Sequence, residues 1–170
     1  MFRVSLEPTS MCHAKGIYEQ VEKNRNALRD WLNWVGFVKS HKDTEKFIRD
    51  INALEKERKG IYRTICVDGN VSGMISIEDI DSTRRSGCLG YWLTPNLWGN
   101  GVVSHSTDLI EDECCSYENV RRVYARVNIG NARSIKVLTK ANYQMEGYLR
   151  QSEFLRESYH DQFLFAKLFS

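Results

Sequence analysis

One stretch decides the fold of this 170-residue chain, and it reads Tyr91-Trp92-Leu93-Thr94-Pro95-Asn96-Leu97-Trp98-Gly99-Asn100-Gly101-Val102-Val103. An apolar strand runs into a short loop with two alternate glycines, and a helix follows directly. Glycine has no Cβ, so it lets backbone N–H groups approach a ligand closely. The N-terminus of the following helix adds free N–H donors and a partial positive charge. The stretch therefore predicts a cradle for a phosphate group.

The better-known nucleotide-binding patterns do not fit this loop. It lacks the third glycine and the acidic residue of the dinucleotide fingerprint, and it lacks the Gly-Lys-Ser or Gly-Lys-Thr of a P-loop. Two alternate glycines before a helix are a weak signal by themselves. A tight loop that binds no ligand is the alternative interpretation.

A sheet is predicted on the N-terminal side of the loop. Residues 61–67 and 71–77 alternate in polarity with a period of two, which indicates strands. Asp68-Gly69 lies between them and is typical of a tight hairpin turn. Residues 88–93 add a third strand, which ends at Thr94-Pro95.

Helices are predicted earlier in the chain, after a first strand that ends at Pro8. Apolar residues from Tyr18 to Val35 fall at helical spacing, with an interruption around Asn24-Arg25-Asn26. This pattern predicts two short helices. Ser40 and Asp43 then form a capping-box pattern that opens another helix, and Gly60 is a suitable stop.

The C-terminal side of the loop predicts one more helix–strand–helix unit. A helix begins at about Gly101, and residues 122–127 alternate as a strand with one buried face. A second helix opens at Asn131 and ends near Asn142, and two extended segments, at about 144–154 and 159–168, close the chain. The whole order predicts a mixed α/β domain around one sheet.

Length and charge restrict the class of protein. At ~150 residues per domain the chain corresponds to one domain, residues 1–170. Lys and Arg number 24 against 22 Asp and Glu, a formal net charge of +2. This near-neutral balance argues against a nucleic-acid or membrane-surface binder. No secretory signal is visible at the N-terminus and no apolar run is long enough for a bilayer, so we expect a cytoplasmic location.

The cysteines predict neither a metal site nor a disulfide framework. There are five, an odd number, with no CxxC pair, so the paired ligands of a typical metal site are missing. We expect all five to be reduced, mostly buried thiols.

A second stretch changes the interpretation of the first. Residues 128–143 read Asn128-Ile129-Gly130-Asn131-Ala132-Arg133-Ser134-Ile135-Lys136-Val137-Leu138-Thr139-Lys140-Ala141-Asn142-Tyr143. Together with Gly90-Tyr91-Trp92-Leu93, Trp98-Gly99-Asn100-Gly101 and Glu146-Gly147-Tyr148-Leu149-Arg150, this resembles the GNAT superfamily of N-acetyltransferases. Within it, the chain is similar to the RimJ/RimL-like ribosomal-protein N-acetyltransferase group over nearly its whole length. The resemblance implies a single N-acetyltransferase domain, an α/β (α+β) fold with one mixed, mostly antiparallel twisted sheet flanked by helices.

Two positions depart from the family pattern. Where the family has Gly or Ala two residues after the second loop glycine, this chain has Val103, whose larger side chain would crowd a cofactor there. Where the family ends the last helix with Lys-x-Gly-Phe, this chain has Lys140-Ala141-Asn142-Tyr143. Asn is the next-best residue to Gly for a left-handed helix end, so the stop is preserved.

The resemblance implies that acetyl-CoA is the cosubstrate and that no metal is needed. The cofactor would lie in a V-shaped gap where the strand Leu89–Leu93 parts from the strand Val123–Asn128. A main-chain N–H at Leu93 or Thr94 would bond the thioester oxygen, and Asn128 and Asn131 would bond the pantetheine arm and the loop beneath it. The remaining cofactor-binding residues implied are Trp92, Trp98, Gly99, Asn100, Gly101, Val102 and Val103, the last five through their backbone N–H groups.

The same resemblance implies two catalytic residues. Ser134 would lie by the CoA sulfur and protonate the leaving thiolate, although a capping role at the start of the helix is the alternative. Glu153 would take the proton from the attacking amine, for which burial would have to raise its pKa; a solvated surface glutamate is the alternative. Weaker candidates for the base are Glu78, Asp79, Asp81 and His105, and Tyr91 is a weaker candidate for the acid.

The acceptor is the least determined part of the prediction. Trp31, Trp34 and Phe37 either wall a groove for a peptide N-terminus or belong to the core. The leading hypothesis is acetylation of the α-amine of a protein, as in the ribosomal-protein group, and the resemblance allows a homodimer. The alternatives are a small amine such as a polyamine or an aminoglycoside, and a non-catalytic acyl-CoA-binding module, which Val103 slightly favours.

Overall fold

A seven-stranded mixed sheet forms the centre of the computed structural model, which describes residues 2–117 and 119–169. The spatial order is β1-β2-β3-β4-β5-β7-β6. Every neighbouring pair is antiparallel except β4 and β5, which are parallel. The strands are β1 (Val4–Pro8), β2 (Ile61–Val67), β3 (Asn70–Asp81), β4 (Ser86–Leu93), β5 (Arg122–Asn128), β6 (Gln144–Leu155) and β7 (Ser158–Leu168).

Helices cover the sheet on both faces. They are α1 (Ala14–Lys23), the single turn α2 (Arg25–Leu28), α3 (His41–Lys56), α4 (Val102–Tyr117) and α5 (Ala132–Lys140). Side chains of α1, α2 and α3 pack with Met74 and Trp92 into one buried cluster. Side chains of α4 and α5 pack with Ile75 and Val123 into a larger cluster on the opposite face. The predicted fold class is confirmed, and no described helix has the length and apolar character needed to cross a membrane.

Local signals in the sequence explain where several elements begin and turn. The Asp43 carboxylate accepts the backbone N–H of Ser40 at 2.8 Å, as the capping box at the start of α3 predicts. Asp68 and Gly69 have φ of 50° and 80°, the paired positive values that a two-residue hairpin turn requires. Helix α3 ends at Lys56, before the predicted stop at Gly60, and Arg58 takes the left-handed conformation with φ of 58°.

The segment after α2 differs from the prediction. Helical spacing suggested a helix reaching Val35, but α2 ends at Leu28 and residues 33–36 form a 3-10 turn. The Arg25 guanidinium donates to the carbonyls of Val35 at 2.6 Å and Val38 at 2.7 Å. These bonds hold residues 29–39 as a loop beside α2, with Val35 buried and Phe37 79% exposed.

Candidate functional site

The candidate site is a gap between β4 and β5. These strands pair only at Ser86–Cys88 with Arg122–Tyr124. Beyond these residues β4 continues to Leu93 and β5 continues to Asn128. In the described part of the chain the two strands are not paired with each other over these continuations. A parallel pair that opens in this way leaves a wedge lined by backbone groups.

The alternation of ladder bonds shows which groups of β4 face the wedge. Thr94 donates its N–H to Ser72 of β3 at 2.8 Å, so its N–H is already bonded. In an antiparallel pair successive residues point their N–H and C=O groups to opposite sides. Leu93 therefore turns its N–H towards the wedge, and of the two donors predicted for a thioester oxygen the geometry favours Leu93.

Strand β5 contributes the opposite wall. Ile129 donates its backbone N–H to the carbonyl of Asp161 in β7 at 3.2 Å, so the same alternation directs the backbone groups of Arg126 and Asn128 towards β4. The Asn128 carbonyl accepts the N–H of Asn131 at 2.9 Å. Both walls of the wedge thus offer peptide groups to an extended ligand.

The glycine loop lies at the end of β4. Gly99 and Gly101 have φ of 80° and 78°, and a Cβ added at either would meet no atom within 4 Å. Within the described residues, neither N–H has a backbone partner, whereas Asn100 donates to Leu97 at 3.4 Å. Helix α4 begins at Val102, so its first-turn N–H groups are unpaired by helix geometry. The loop has the open, donor-rich surface that an anion requires.

Val103 does not fill this opening. Its side chain is partly buried and packs against the larger core cluster. The bulk that could crowd a cofactor is therefore directed into the protein, and the backbone N–H of Val103 stays in the first turn of α4.

The two predicted tryptophans occupy different environments. Trp98 donates its Nε1–H to the Leu93 carbonyl at 2.8 Å, which holds the glycine loop against the end of β4. Trp92 is 8% exposed and packs on the opposite face of the sheet, with its ring centre 6.1 Å from that of Trp34. This position does not favour the Trp92 side chain as a cofactor ligand.

Ser134 lies in the first turn of α5. Its N–H is capped by the Asn131 side chain at 3.2 Å, so the predicted capping role belongs to Asn131. Tyr91 donates its hydroxyl to the Ser134 carbonyl at 3.5 Å, and burial raises the pKa of Tyr91 to about 12. The Ser134 side chain also lies within hydrogen-bond reach of the Tyr91 hydroxyl, an interaction that by itself lowers the pKa of Tyr91. The structure thus brings together two protonated hydroxyl groups beside the wedge.

Glu153 reaches the wedge through Asn128. Asn128 donates its Nδ2–H to a Glu153 oxygen at 3.2 Å and accepts the Gly130 N–H on its Oδ1 at 2.9 Å. The carboxylate is half-buried and stands at the end of β5, across the wedge from β4. The link between Glu153 and Asn128 was not predicted, because it joins residues 25 apart on different strands.

The weaker candidates lie elsewhere or have other partners. Glu78 accepts the Ser76 hydroxyl at 2.7 Å, and Asp81 caps the β3–β4 turn by accepting the N–H groups of Thr83 and Arg84. His105 is exposed on α4. Of the aromatic residues proposed for an acceptor groove, Trp31 and Trp34 are half-buried and Phe37 is exposed.

A second cluster of potential ligands was not predicted. Glu7, His13 and Cys66 bring their ligand atoms within 4.8 Å of one another. The Nδ1 of His13 accepts the Ser10 N–H at 3.1 Å, so in the neutral ring the proton lies on Nε2, which meets Glu7 at 3.0 Å. That tautomer leaves no nitrogen lone pair for a metal. The hydrogen bond from His13 lowers the pKa of Glu7, and burial raises the pKa of Cys66 to about 11.

Comparison with known proteins identifies the family. The acetyltransferase (GNAT) domain family matches residues 3–144. The chain belongs to the GNAT acetyltransferase family. The family resemblance inferred from the loop and from residues 128–143 is therefore confirmed.

Relatives of this GNAT protein share its length and fold. A ribosomal-protein-serine acetyltransferase of Escherichia coli is 28% identical over 156 residues, 92% of this chain and 87% of the relative. A spermidine N(1)-acetyltransferase of Escherichia coli is 22% identical, over 84% of this chain and 74% of the relative. The structure of RimL, a ribosomal-protein α-N-acetyltransferase in complex with coenzyme A, superimposes with a TM-score of 0.94 at 24% identity, covering 97% of this chain and 93% of RimL. The prediction that the chain is an N-acetyltransferase is confirmed.

Proposed function

We propose that this GNAT protein transfers the acetyl group of acetyl-CoA to the N-terminal α-amine of a protein, with a ribosomal protein as the acceptor. The observation that carries the proposal is the wedge between β4 and β5, which has the glycine loop at one end and Ser134 and Glu153 beside it. The ribosomal-protein-serine acetyltransferase, similar over 92% of the chain, supports the acceptor class.

The backbone of the wedge would hold the donor. Acetyl-CoA supplies an activated acetyl group as a thioester. The N–H groups of Gly99, Gly101, Val102 and Val103 would bind the pyrophosphate, since they are the donors that the loop leaves without partners. Peptide groups of Arg126 and Asn128 would bond the pantetheine arm as a neighbouring strand would.

Leu93 would stabilise the charge that develops on the thioester oxygen. Its N–H is fixed by the β3–β4 ladder and by the contact between Trp98 and its own carbonyl. A donor held in place in this way needs no reorganisation when the oxygen becomes an oxyanion.

Proton transfer would be divided between Glu153 and Ser134. Glu153 would take the proton that the amine loses as its nitrogen bonds to the carbonyl carbon. Ser134 would give its hydroxyl proton to the CoA sulfur as the carbon–sulfur bond breaks and would regain a proton from solvent, to which Glu153 releases the proton of the amine. Tyr91 is the nearby hydroxyl that supports this end of the site. The products are an N-acetylated chain and CoA thiol.

The proposal extends to the setting of the protein. We infer that residues 1–170 form one N-acetyltransferase domain and that it works in the cytoplasm. None of the five cysteines forms a disulfide within the residues that the structure describes, and Cys66 and Cys114 are buried whereas Cys12 is exposed, which suits a reducing compartment. A homodimer stays a prediction, which light scattering of the purified protein would test.

Release of CoA in the presence of acceptors tests the function. Purified protein is mixed with acetyl-CoA and with peptides that carry a free or a formylated N-terminus, and a parallel series contains spermidine and an aminoglycoside. We expect free peptide N-termini to accelerate CoA release and blocked ones not to. Acceleration only by small amines would contradict the protein acceptor, and binding of acetyl-CoA without turnover on any acceptor would indicate a binding module.

Two variants test the catalytic residues. Ser134→Ala and Glu153→Gln should each reduce kcat about a hundredfold, the lower end of general acid–base effects, with little change in the Kd for acetyl-CoA. Matched controls are Ser82→Ala in the β3–β4 turn and Glu19→Gln on the surface of α1, both exposed. A Glu153→Gln variant with wild-type kcat would show that another group accepts the proton.

A further inference from the structure

The glycine loop and its helix carry an unusual charge for a site that is to bind coenzyme A. Residues 94–117 contain no Lys or Arg, and helix α4 has four carboxylates, Asp108, Glu111, Asp112 and Glu113. The pyrophosphate and 3′-phosphate groups of coenzyme A are anionic. Backbone N–H groups can hold one of them, but residues 94–117 supply no side-chain cation for another. Of the four carboxylates, Glu111 and Glu113 are already paired with Lys167 and Arg63.

A cation reaches the loop from a different element. The guanidinium of Arg133, the second residue of α5, lies 4.7 Å from the centre of the Trp98 ring. Trp98 is adjacent to Gly99 and is itself fixed to the Leu93 carbonyl. A cation–π contact of this length holds the guanidinium over the residue that precedes the phosphate cradle.

Among the residues that the structure describes, no carboxylate pairs with Arg133. Several other guanidinium groups, among them those of Arg25, Arg63, Arg122 and Arg156, form ion pairs with carboxylates. Arg133 forms neither an ion pair nor a hydrogen bond with any residue in the ranges 2–117 and 119–169. It also lies at the positive end of α5, whose first turn has no acidic residue, so its surroundings favour an added anion.

We propose that Arg133 is a further cofactor-binding residue, which binds a phosphate group of coenzyme A while its guanidinium rests on the Trp98 ring. This inference rests on the proposed use of acetyl-CoA and adds to it the side-chain cation of the site. The planar guanidinium donates two parallel hydrogen bonds to phosphate and stacks on an aromatic ring at the same time, which an ammonium group does not do. The N-terminus of α5 and the glycine loop would therefore both contact the same end of the cofactor.

Isothermal titration with three probes tests the proposal: coenzyme A, 3′-dephospho-CoA and pantetheine, which lacks phosphate. Arg133→Ala should weaken binding of coenzyme A about tenfold or more, the range for a hydrogen bond to a charged group. Arg133→Lys should fall between the wild type and the alanine variant. Binding of pantetheine should be the same in all three proteins, because it offers Arg133 no phosphate.

Lys140→Ala is the matched control. It removes one positive charge from an exposed position on the same helix, two turns from Arg133, and should change the Kd for coenzyme A by no more than about twofold, as expected of a screened surface charge. Comparison of coenzyme A with 3′-dephospho-CoA assigns the phosphate. If Arg133→Ala raises the Kd for 3′-dephospho-CoA as much as that for coenzyme A, Arg133 binds the pyrophosphate. If Arg133→Ala leaves the Kd for 3′-dephospho-CoA unchanged, Arg133 binds the 3′-phosphate.

Three results would overturn the assignment. The first is an Arg133→Ala protein that binds coenzyme A with the same Kd as the wild type. The second is an Arg133→Ala protein whose affinity for pantetheine falls by the same factor as its affinity for coenzyme A. The third is a Lys140→Ala protein that is weakened as much as Arg133→Ala. A wild-type protein that does not bind coenzyme A would instead contradict the proposed function itself, and this inference with it.

Discussion

Gly99 and Gly69 have the same backbone conformation but lie in different parts of the fold. Both have φ of 80°, and at both positions an added Cβ would meet no atom within 4 Å. A side chain at either glycine would therefore cause backbone strain alone, without a clash. Gly69 lies in the β2–β3 turn, whereas Gly99 faces the opening that we assign to the pyrophosphate.

Alanine at these two glycines should separate stability from binding. Gly99→Ala and Gly69→Ala should each lower the free energy of unfolding by about 1 kcal/mol, the cost of a left-handed non-glycine residue. Only Gly99→Ala should raise the Kd for acetyl-CoA severalfold, since its methyl group enters the cradle. Urea denaturation and titration calorimetry measure the two quantities. Equal binding by both variants would show that the ligand does not lie at Gly99.

At this scale the sequence predicted the loop better than the rest of the site. The glycines and the helix start are adjacent in the chain, so their local chemistry could be recognised directly. Ser134 and Glu153 were inferred only from the family resemblance. The contact of Glu153 with Asn128 and that of Arg133 with Trp98 join residues far apart in the chain. They depend on how strands, helix α5 and the loop are arranged in the fold, which no local pattern encodes.

At the scale of elements, helix α3 shows how a local signal can fix a boundary. The Asp43 carboxylate accepts the backbone N–H groups of Lys39 at 3.0 Å and Ser40 at 2.8 Å, and the Ser40 hydroxyl at 3.0 Å. The hydrogen bonds from the Lys39 backbone and from Ser40 lower the pKa of Asp43 below its ordinary value of 3.8. These bonds form only in the folded helix, so the charged carboxylate stabilises the fold.

This cap predicts a pH dependence of stability. A carboxylate whose pKa is lowered in the folded state contributes stability above its unfolded pKa and loses it as the pH falls through the folded pKa. Asp43→Asn should therefore be less stable than the wild type at neutral pH, and the difference should disappear in acid below the lowered pKa. Asp50→Asn, on the same helix but bonded to Lys46, should change the stability little at neutral pH. A difference between wild type and Asp43→Asn that persists in acid would contradict this assignment.

The loop after α2 shows where local patterns fail. The apolar residues from Leu28 to Val35 have helical spacing, but the Arg25 guanidinium bonds two carbonyls from a segment ten or more residues away. Such a side-chain contact removes the carbonyls from helical bonding, and spacing alone does not reveal it. Element types were therefore predictable from periodicity, whereas this boundary was set by one long side chain.

At the scale of the whole molecule, the order of the strands within the sheet was the main feature that could not be predicted from the sequence. The order of strands and helices along the chain was predicted, and so was a single mixed sheet. The insertion of β7 between β5 and β6 was not predicted. The hydrogen bond between Glu153 of β6 and Asn128 of β5 therefore joins two strands that are not neighbours in the sheet. Strand neighbours of this kind are determined by burial over long sequence separations rather than by turn signals.

The two helical layers are joined by a buried arginine at one side of the sheet. Arg63 of β2 is 7% exposed. It donates from Nε to Glu113 of α4 at 3.0 Å and from Nη1 to Glu55 of α3 at 2.8 Å. The two carboxylates are only partly buried, with side chains 36% and 31% exposed. If Arg63 is removed, water can still solvate the two carboxylates. If the carboxylates are removed, the buried guanidinium of Arg63 has no access to water.

This asymmetry predicts an order of stabilities. The double variant Glu55→Gln with Glu113→Gln leaves the guanidinium buried without a counter-charge, and it should lose about 3 kcal/mol of unfolding free energy. Arg63→Met removes the buried charge and keeps most of the side-chain volume, so it should lose about 1 kcal/mol or less. Urea denaturation at neutral pH compares the two proteins. A result in which Arg63→Met is less stable than the double glutamine variant would contradict this prediction. It would show that the hydrogen bonds of Arg63 to α3 and α4 stabilise the fold by more than burial of the guanidinium costs.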